Sequence, residues 1–158
     1  MIKRIYLFIV VVGFTANLFA QNNPVQLSLI NTIQLVPENQ SVSAFRLALY
    51  GKNTRTQYLD VGIVTQNTDG MSMGLQLSFA GIQDDFTGWQ AGTLVNYSYG
   101  DVKGLMTGAF NYSAHFVGVQ FGVVNFTETA NGIQIGLVNF IKKGGFLPVF
   151  PIFNFSLK

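Results

Sequence analysis

The sequence predicts an all-β protein: an up-and-down antiparallel meander curled into a β-barrel of about eight or nine strands, with a β-solenoid of short coils as the alternative. Three observations lead there. A phrase of small, apolar, polar, apolar, small, apolar, apolar, often ending in Asn, recurs eight times; Gly118–Asn125 and Gly132–Asn139 are its clearest copies. Apolar and polar residues alternate within each copy, the signature of a strand with two unlike faces. The four prolines are Pro24, Pro37, Pro148 and Pro151, so residues 38–147 can form an unbroken ladder.

The elements follow in chain order. Residues 1–20 read as a secretory signal peptide: Lys3 and Arg4 precede an apolar run from Ile5 to Phe14, with cleavage expected after Ala20. The run is shorter than the ~20 residues that span a bilayer. Residues 21–158 then form a single β-repeat domain, with a repeat core over 24–140 and a closing strand over 146–157. The copies begin at Pro24, Ala44, Tyr58, Gly74, Gly88, Gly104, Gly118 and Gly132, with steps of 14, 16, 14, 16, 14 and 14 residues from Ala44 onward.

Position five is small in every copy: Ser28, Ala48, Gly62, Ser78, Gly92, Gly108, Gly122 and Gly136. Glycine weakens a strand interior, so its recurrence implies close approach of another backbone or side chain. Position three is polar except at Met106, reading Gln26, Arg46, Asp60, Gln76, Gln90, Gln120 and Gln134 in the other copies. Those glutamines can hydrogen-bond laterally in a ladder. Between copies lie short stretches of turn chemistry, such as Gln66–Gly70 and Thr127–Asn131, which suit antiparallel neighbours. Thr32–Ser41 is a longer link, and Phe153, Phe155 and Leu157 alternate as a final strand that closes or caps the array.

The two architectures place the apolar residues differently. In a barrel the Leu/Val/Phe face meets lipid and the Gly/Gln face lines the lumen. An apolar face three residues deep spans only about 14–17 Å, against ~25 Å for a lipid-facing band. In a solenoid each copy is one coil, with positions two, four and six stacked inside and the asparagines forming a ladder. That alternative leaves the 16-residue steps and the link before Ala44 unaccounted for.

Composition narrows the function. Residues 21–158 carry seven basic and seven acidic groups, so they offer no electrostatic footprint for nucleic acid. The absence of cysteine excludes disulfides and thiol catalysis. Charged residues make up only 10% of the chain, against ~25% in ordinary soluble domains, which points to a membrane, a partner or a stacked repeat. His115 stands alone and makes neither a zinc site nor a nucleophilic centre. Asp84 and Asp85 are adjacent, so on a strand they point to opposite faces and read as a solvated turn. The Asn-x-Ser/Thr strings at Asn39, Asn96, Asn111, Asn125 and Asn154 largely echo the repeat. No catalytic, cofactor-binding or metal-ligating residue is assigned.

The tandem Gly-x-Gln-x-Gly-x-Val-Asn phrase behind a leader, with its Phe146-Leu-Pro-Val-Phe-Pro-Ile-Phe-Asn-Phe ending, resembles a family of bacterial cell-envelope surface-repeat proteins. The resemblance covers about residues 24–157 and implies an exported surface or envelope protein without catalytic residues to carry over. The expectation is therefore a non-enzymatic protein of the outer membrane or cell surface. It would have a structural or interaction role, with a membrane or envelope component as partner. A soluble periplasmic or secreted binding module is the alternative, and an envelope-acting hydrolase a third.

Overall fold

The computed structural model describes residues 23–157; the expected signal peptide lies outside them. The strands are β1 (Val25–Ile30), β2 (Ile33–Gln34), β3 (Phe45–Asn53), β4 (Gln57–Asn67), β5 (Met71–Gln83), β6 (Asp85–Lys143) and β7 (Val149–Ser156). They form one sheet system, and the described residues contain no helix.

The fold is a β-solenoid, not a barrel. β1 pairs with β3, β3 with β4, β4 with β5 and β5 with the start of β6, every time in parallel. Equivalent positions lie side by side, as in Ala48↔Gly62, Gly62↔Ser78 and Ser78↔Gly92. β6 continues the winding, with Gly88, Gly104, Gly118 and Gly132 stacked successively against one another's backbones. Hairpins cannot join parallel neighbours. The expected turn stretches are instead the return halves of the coils: Thr127–Asn131 is extended throughout, and Gln66 and Asn67 end a strand.

The interior expected of a solenoid is reversed, while the outward apolar face and inward Gly/Gln face expected of the barrel are kept. Positions three and five point inward, and positions two, four and six point out. The position-three residues are all buried: Gln26, Arg46, Asp60, Gln76, Gln90, Met106, Gln120 and Gln134. Leu77, Phe79, Phe121, Val123, Ile135 and Leu137 are exposed. A coil this short encloses a narrow interior. Across it, position five confronts position eight, and at each resolved pair glycine leaves the space that its partner fills. A Cβ on Gly51 would strike Ala48, one on Gly62 would strike Thr65, and one on Gly108 or Gly122 would strike asparagine side chains. At Gly62, Gly108 and Gly122 the added Cβ would also collide with the preceding coil's carbonyl, Gly108 O in the case of Gly122. Between positions five and eight no room remains for Leu or Phe.

A polar interior must satisfy its own hydrogen bonds. Amide ladders do this from coil to coil. Asn96 Nδ2 donates to Asn111 Oδ1, Asn111 to Asn125 and Asn125 to Asn139, each at 2.8 Å. Gln90 donates to Gln76 at 2.9 Å and Gln134 to Gln120 at 2.7 Å. Both ladders match the lateral bonding expected from the sequence. At the second and third coils the glutamine rung is replaced by a buried ion pair: Arg46 Nε and Nη2 donate to Asp60 Oδ1 and Oδ2 at 2.7 and 2.5 Å. Met106, the apolar exception at position three, packs with Phe86, Val102 and Phe116 in a hydrophobic cluster of the interior.

The 16-residue coils bulge outward without breaking the columns. One accommodates its extra residues at Thr68-Asp69-Gly70, where Gly70 has φ 72°. In the next, pairing shifts by one residue between Ser78↔Gly92 and Ala80↔Val95, which leaves Leu94 on the surface and delays Asn96 in the phrase.

Both ends are covered. Residues 31–41 cover the first coil, with β2 laid antiparallel on the edge of β1 away from β3. Val36 is buried, its N–H bonds to Gln26 Oε1 at 2.8 Å, and Asn53 Nδ2 donates to Pro37 O at 3.2 Å. At the other end β7 lies antiparallel on the last coil, with Gln134↔Asn154 and Ile135↔Phe153 in register. This is the capping role expected of the final strand. Pro151 lacks an N–H, so the outer edge of β7 is a poor template for further strands.

Position one is a left-handed corner. Gly74, Gly88, Gly104, Gly118 and Gly132 have φ between 114° and 155°, and Tyr58 occupies the same place at φ 70°. A left-handed L-residue costs ~1–2 kcal/mol, while glycine adds ~0.5–1 kcal/mol of chain entropy to be lost. The Tyr58 side chain is largely exposed and has little packing to lose. Tyr58→Gly should therefore stabilise the protein by up to about 1 kcal/mol. A rise in Tm on thermal denaturation checks this; an unchanged or lower Tm would show that Tyr58 bears no strain.

Candidate functional site

The outward positions two, four and six form a flat apolar face. Its rows read Val25, Leu27, Leu29; Phe45, Leu47, Leu49; Leu59, Val61, Ile63; Leu75, Leu77, Phe79; Trp89, Ala91, Thr93; Leu105, Thr107, Ala109; Val119, Phe121, Val123; and Ile133, Ile135, Leu137. No charged residue occurs among them. The only polar members are Thr93 and Thr107, and Thr107 Oγ1 accepts a hydrogen bond from Trp89 Nε1 at 2.9 Å. β7 extends the face by another row, because Phe155 and Phe153 pair with Ile133 and Ile135. Nine rows ~4.8 Å apart and five residues ~3.3 Å each give a face of about 700 Å². Typical monomers expose apolar patches of ~300–600 Å² at most. Half-exposed side chains such as Leu49 (55%), Phe121 (57%) and Leu137 (69%) carry it.

The return halves of the coils present a different surface. Tyr97, Tyr112, Phe126 and Phe140 stack at ring separations of 4.4, 5.5 and 5.6 Å. Burial, then the neighbouring Tyr112 and Tyr99 phenols, pushes the Tyr97 hydroxyl above its ordinary range. The rings cover one another, so their faces are largely unavailable to a planar ligand. Charges gather on this side and at the ends. Lys142 meets Glu128 of the preceding coil at 3.6 Å, and Lys52 meets Glu38 at 3.2 Å. Such exposed pairs contribute little stability.

The residues weighed for chemistry are placed apart. His115 Nδ1 lies 2.6 Å from Thr129 Oγ1, a surface contact between adjacent coils. Asp84 and Asp85 turn in opposite directions along the stack. Asp84 Oδ2 accepts the Gly70 N–H at 2.9 Å, and Asp85 Oδ1 accepts the Asp101 N–H at 2.7 Å. Each carboxylate fastens a corner of a neighbouring coil. Among the described residues, no three His, Cys, Asp or Glu side chains gather as a metal site. Asn96, Asn111, Asn125 and Asn154 are buried, which leaves Asn39 as the one exposed member of the Asn-x-Ser/Thr set.

No family model, characterised protein or solved structure matches this chain. The apolar face is therefore the feature from which function must be argued. At its first rows it deepens into a groove of about 660 Å³, lined by Leu27, Leu29, Ile33, Leu35, Leu47 and Leu49, with Ser28, Thr32, Gln34 and Ala48. In the sequence Ile33 and Leu35 fall within the longer link Thr32–Ser41. Their two-residue spacing was the available signal, but only the antiparallel return of β2 onto β1 makes them a wall. Among the described residues, no helix is long and apolar enough to cross a membrane.

Proposed function

We propose that this protein is a non-enzymatic, exported component of the cell envelope that lies against the outer membrane or cell surface through its apolar sheet face. The observation that carries the reading is the uncharged face of eight successive coils and a capping strand, with the charges kept off it. A flat hydrocarbon-rich surface of that size loses most by facing water, and lipid covers it without demanding shape complementarity. The expected leader and the resemblance to envelope surface-repeat proteins support the same address. The shallow face, which argued against a spanning barrel, suits a protein lying on a leaflet.

Trp89, the only tryptophan, sits on this face and reports its surroundings. Mixed with vesicles of phosphatidylethanolamine and phosphatidylglycerol, the protein should float with the lipid. Trp89 emission should shift to the blue and be quenched by bromine-labelled acyl chains. Leu77→Asp with Phe121→Asp should abolish flotation while leaving the circular dichroism unchanged, because charges are costly in hydrocarbon. A protein that remains a monomer in the aqueous phase, with unshifted Trp89 emission, would contradict the proposal. Recovery of a tightly bound protein partner instead of lipid would favour a soluble binding module.

A further inference from the structure

We propose that the groove at the N-terminal end of the face holds the alkyl chain of a membrane lipid; this rests on the reading of the face as a lipid-facing surface. Leu27 and Leu29 in β1 and Leu47 and Leu49 in β3 are the first two rows of the face, and they form the floor. Ile33 and Leu35 stand beside them on the returning link, where Leu35 N–H bonds to Leu27 O at 3.1 Å and fixes the wall. At about 660 Å³, the groove falls within the ~300–1,000 Å³ of ligand-holding sites.

The chemistry of the lining selects the ligand. Ordinary pockets combine apolar walls with a few polar groups that orient a polar ligand. Here the inner polar groups are already engaged within the protein. Ser28 Oγ donates to Tyr50 O at 2.7 Å, and Gln34 Nε2 donates to Val36 O at 2.7 Å and Lys52 O at 3.0 Å. Among the described residues, no charged or aromatic side chain lines the groove. A sugar, nucleotide or peptide would lose its hydration with little in return. A saturated chain requires no polar partner. It also reaches the groove along the apolar face, without crossing polar surface.

The test moves the tryptophan. Trp89→Phe combined with Leu35→Trp places the sole indole at the groove rim, on a side chain that is already largely exposed. The probes are phosphatidylethanolamine and phosphatidylglycerol vesicles with acyl chains brominated in mid-chain. Groove emission should be lost as fully as Trp89 emission is lost in the unaltered protein. Adding Ile33→Asp and Leu49→Asp to this background should restore it, while the same two changes made in the parent should leave Trp89 quenched. Quenching of Trp89 with unchanged groove emission would overturn the groove proposal and leave the face reading standing. No quenching at either place would remove both. Groove quenching by free dibromostearate but not by vesicles would overturn the membrane-lipid source.

Discussion

Asp60→Ala is expected to destabilise the protein by about 3–5 kcal/mol, because it strands a buried guanidinium. Arg46 is fully buried, and its carboxylate partner is almost fully buried. Without Asp60, the remaining side-chain partners of Arg46 are Asn53 Oδ1 at 3.3 Å and Gln66 O at 3.1 Å. Neither neutralises the charge. The neighbouring coils show how the same column is built without charge, with Gln76 and Gln90 bonded amide to amide. Replacing both partners, Arg46→Gln with Asp60→Gln, should therefore recover stability to within about 1 kcal/mol of the parent, since removing a buried pair whole is often neutral. Chemical denaturation of the two single variants and the double variant gives the coupling. Additive losses in the double variant would show that Arg46 and Asp60 do not act as a single unit of the column.

Gly122→Val should cost about 3 kcal/mol or more, although valine is the better strand former. The added Cβ alone would meet Gly108 O and Asn111 Nδ2 of the preceding coil. A carbonyl in a parallel ladder cannot move aside without breaking its own pairing, and the asparagine is held by both neighbours of its ladder. Gly136→Val meets the equivalent atoms, Gly122 O and Asn125 Nδ2, and should lose a similar amount. Matching Tm values for both variants and the parent would show that the coil interior has space the geometry denies.

The local rules of the coil are legible in the sequence. The small residue at position five, the glutamine and asparagine ladders, and the capping strand around Phe153 and Phe155 all follow from chemistry within one copy. Pairing direction does not. Leu75, Leu77 and Phe79 alternate with period two whether the next strand returns by a hairpin or arrives after a full coil. Stretches such as Thr127–Asn131 carry turn-forming residues yet form strand, because Thr127 and Ala130 are small enough to point into a narrow interior. The usual preference of apolar side chains for the inside also misleads for a solenoid this slim. Amide ladders fill most of it, with Phe86 and Phe116 buried beside Met106, and the Leu and Phe residues of the phrase are left for the surface. For the candidate site, the face itself was written in positions two, four and six. The groove depends on the link folding back, a long-range event that no short motif announces.

The most direct test of the parallel stack, on which the apolar face depends, is disulfide trapping in this cysteine-free chain. Met73 is registered with Thr87, and Leu77 with Ala91. Adjacent parallel strands place such partners ~4.8 Å apart, inside the ~4.4–6.8 Å that a disulfide spans. Met73→Cys with Thr87→Cys, and Leu77→Cys with Ala91→Cys, should each give an intramolecular disulfide on mild oxidation. No single antiparallel register brings both pairs together. Ready closure of both would establish coils stacked in parallel; closure of only one, or of neither, would contradict them.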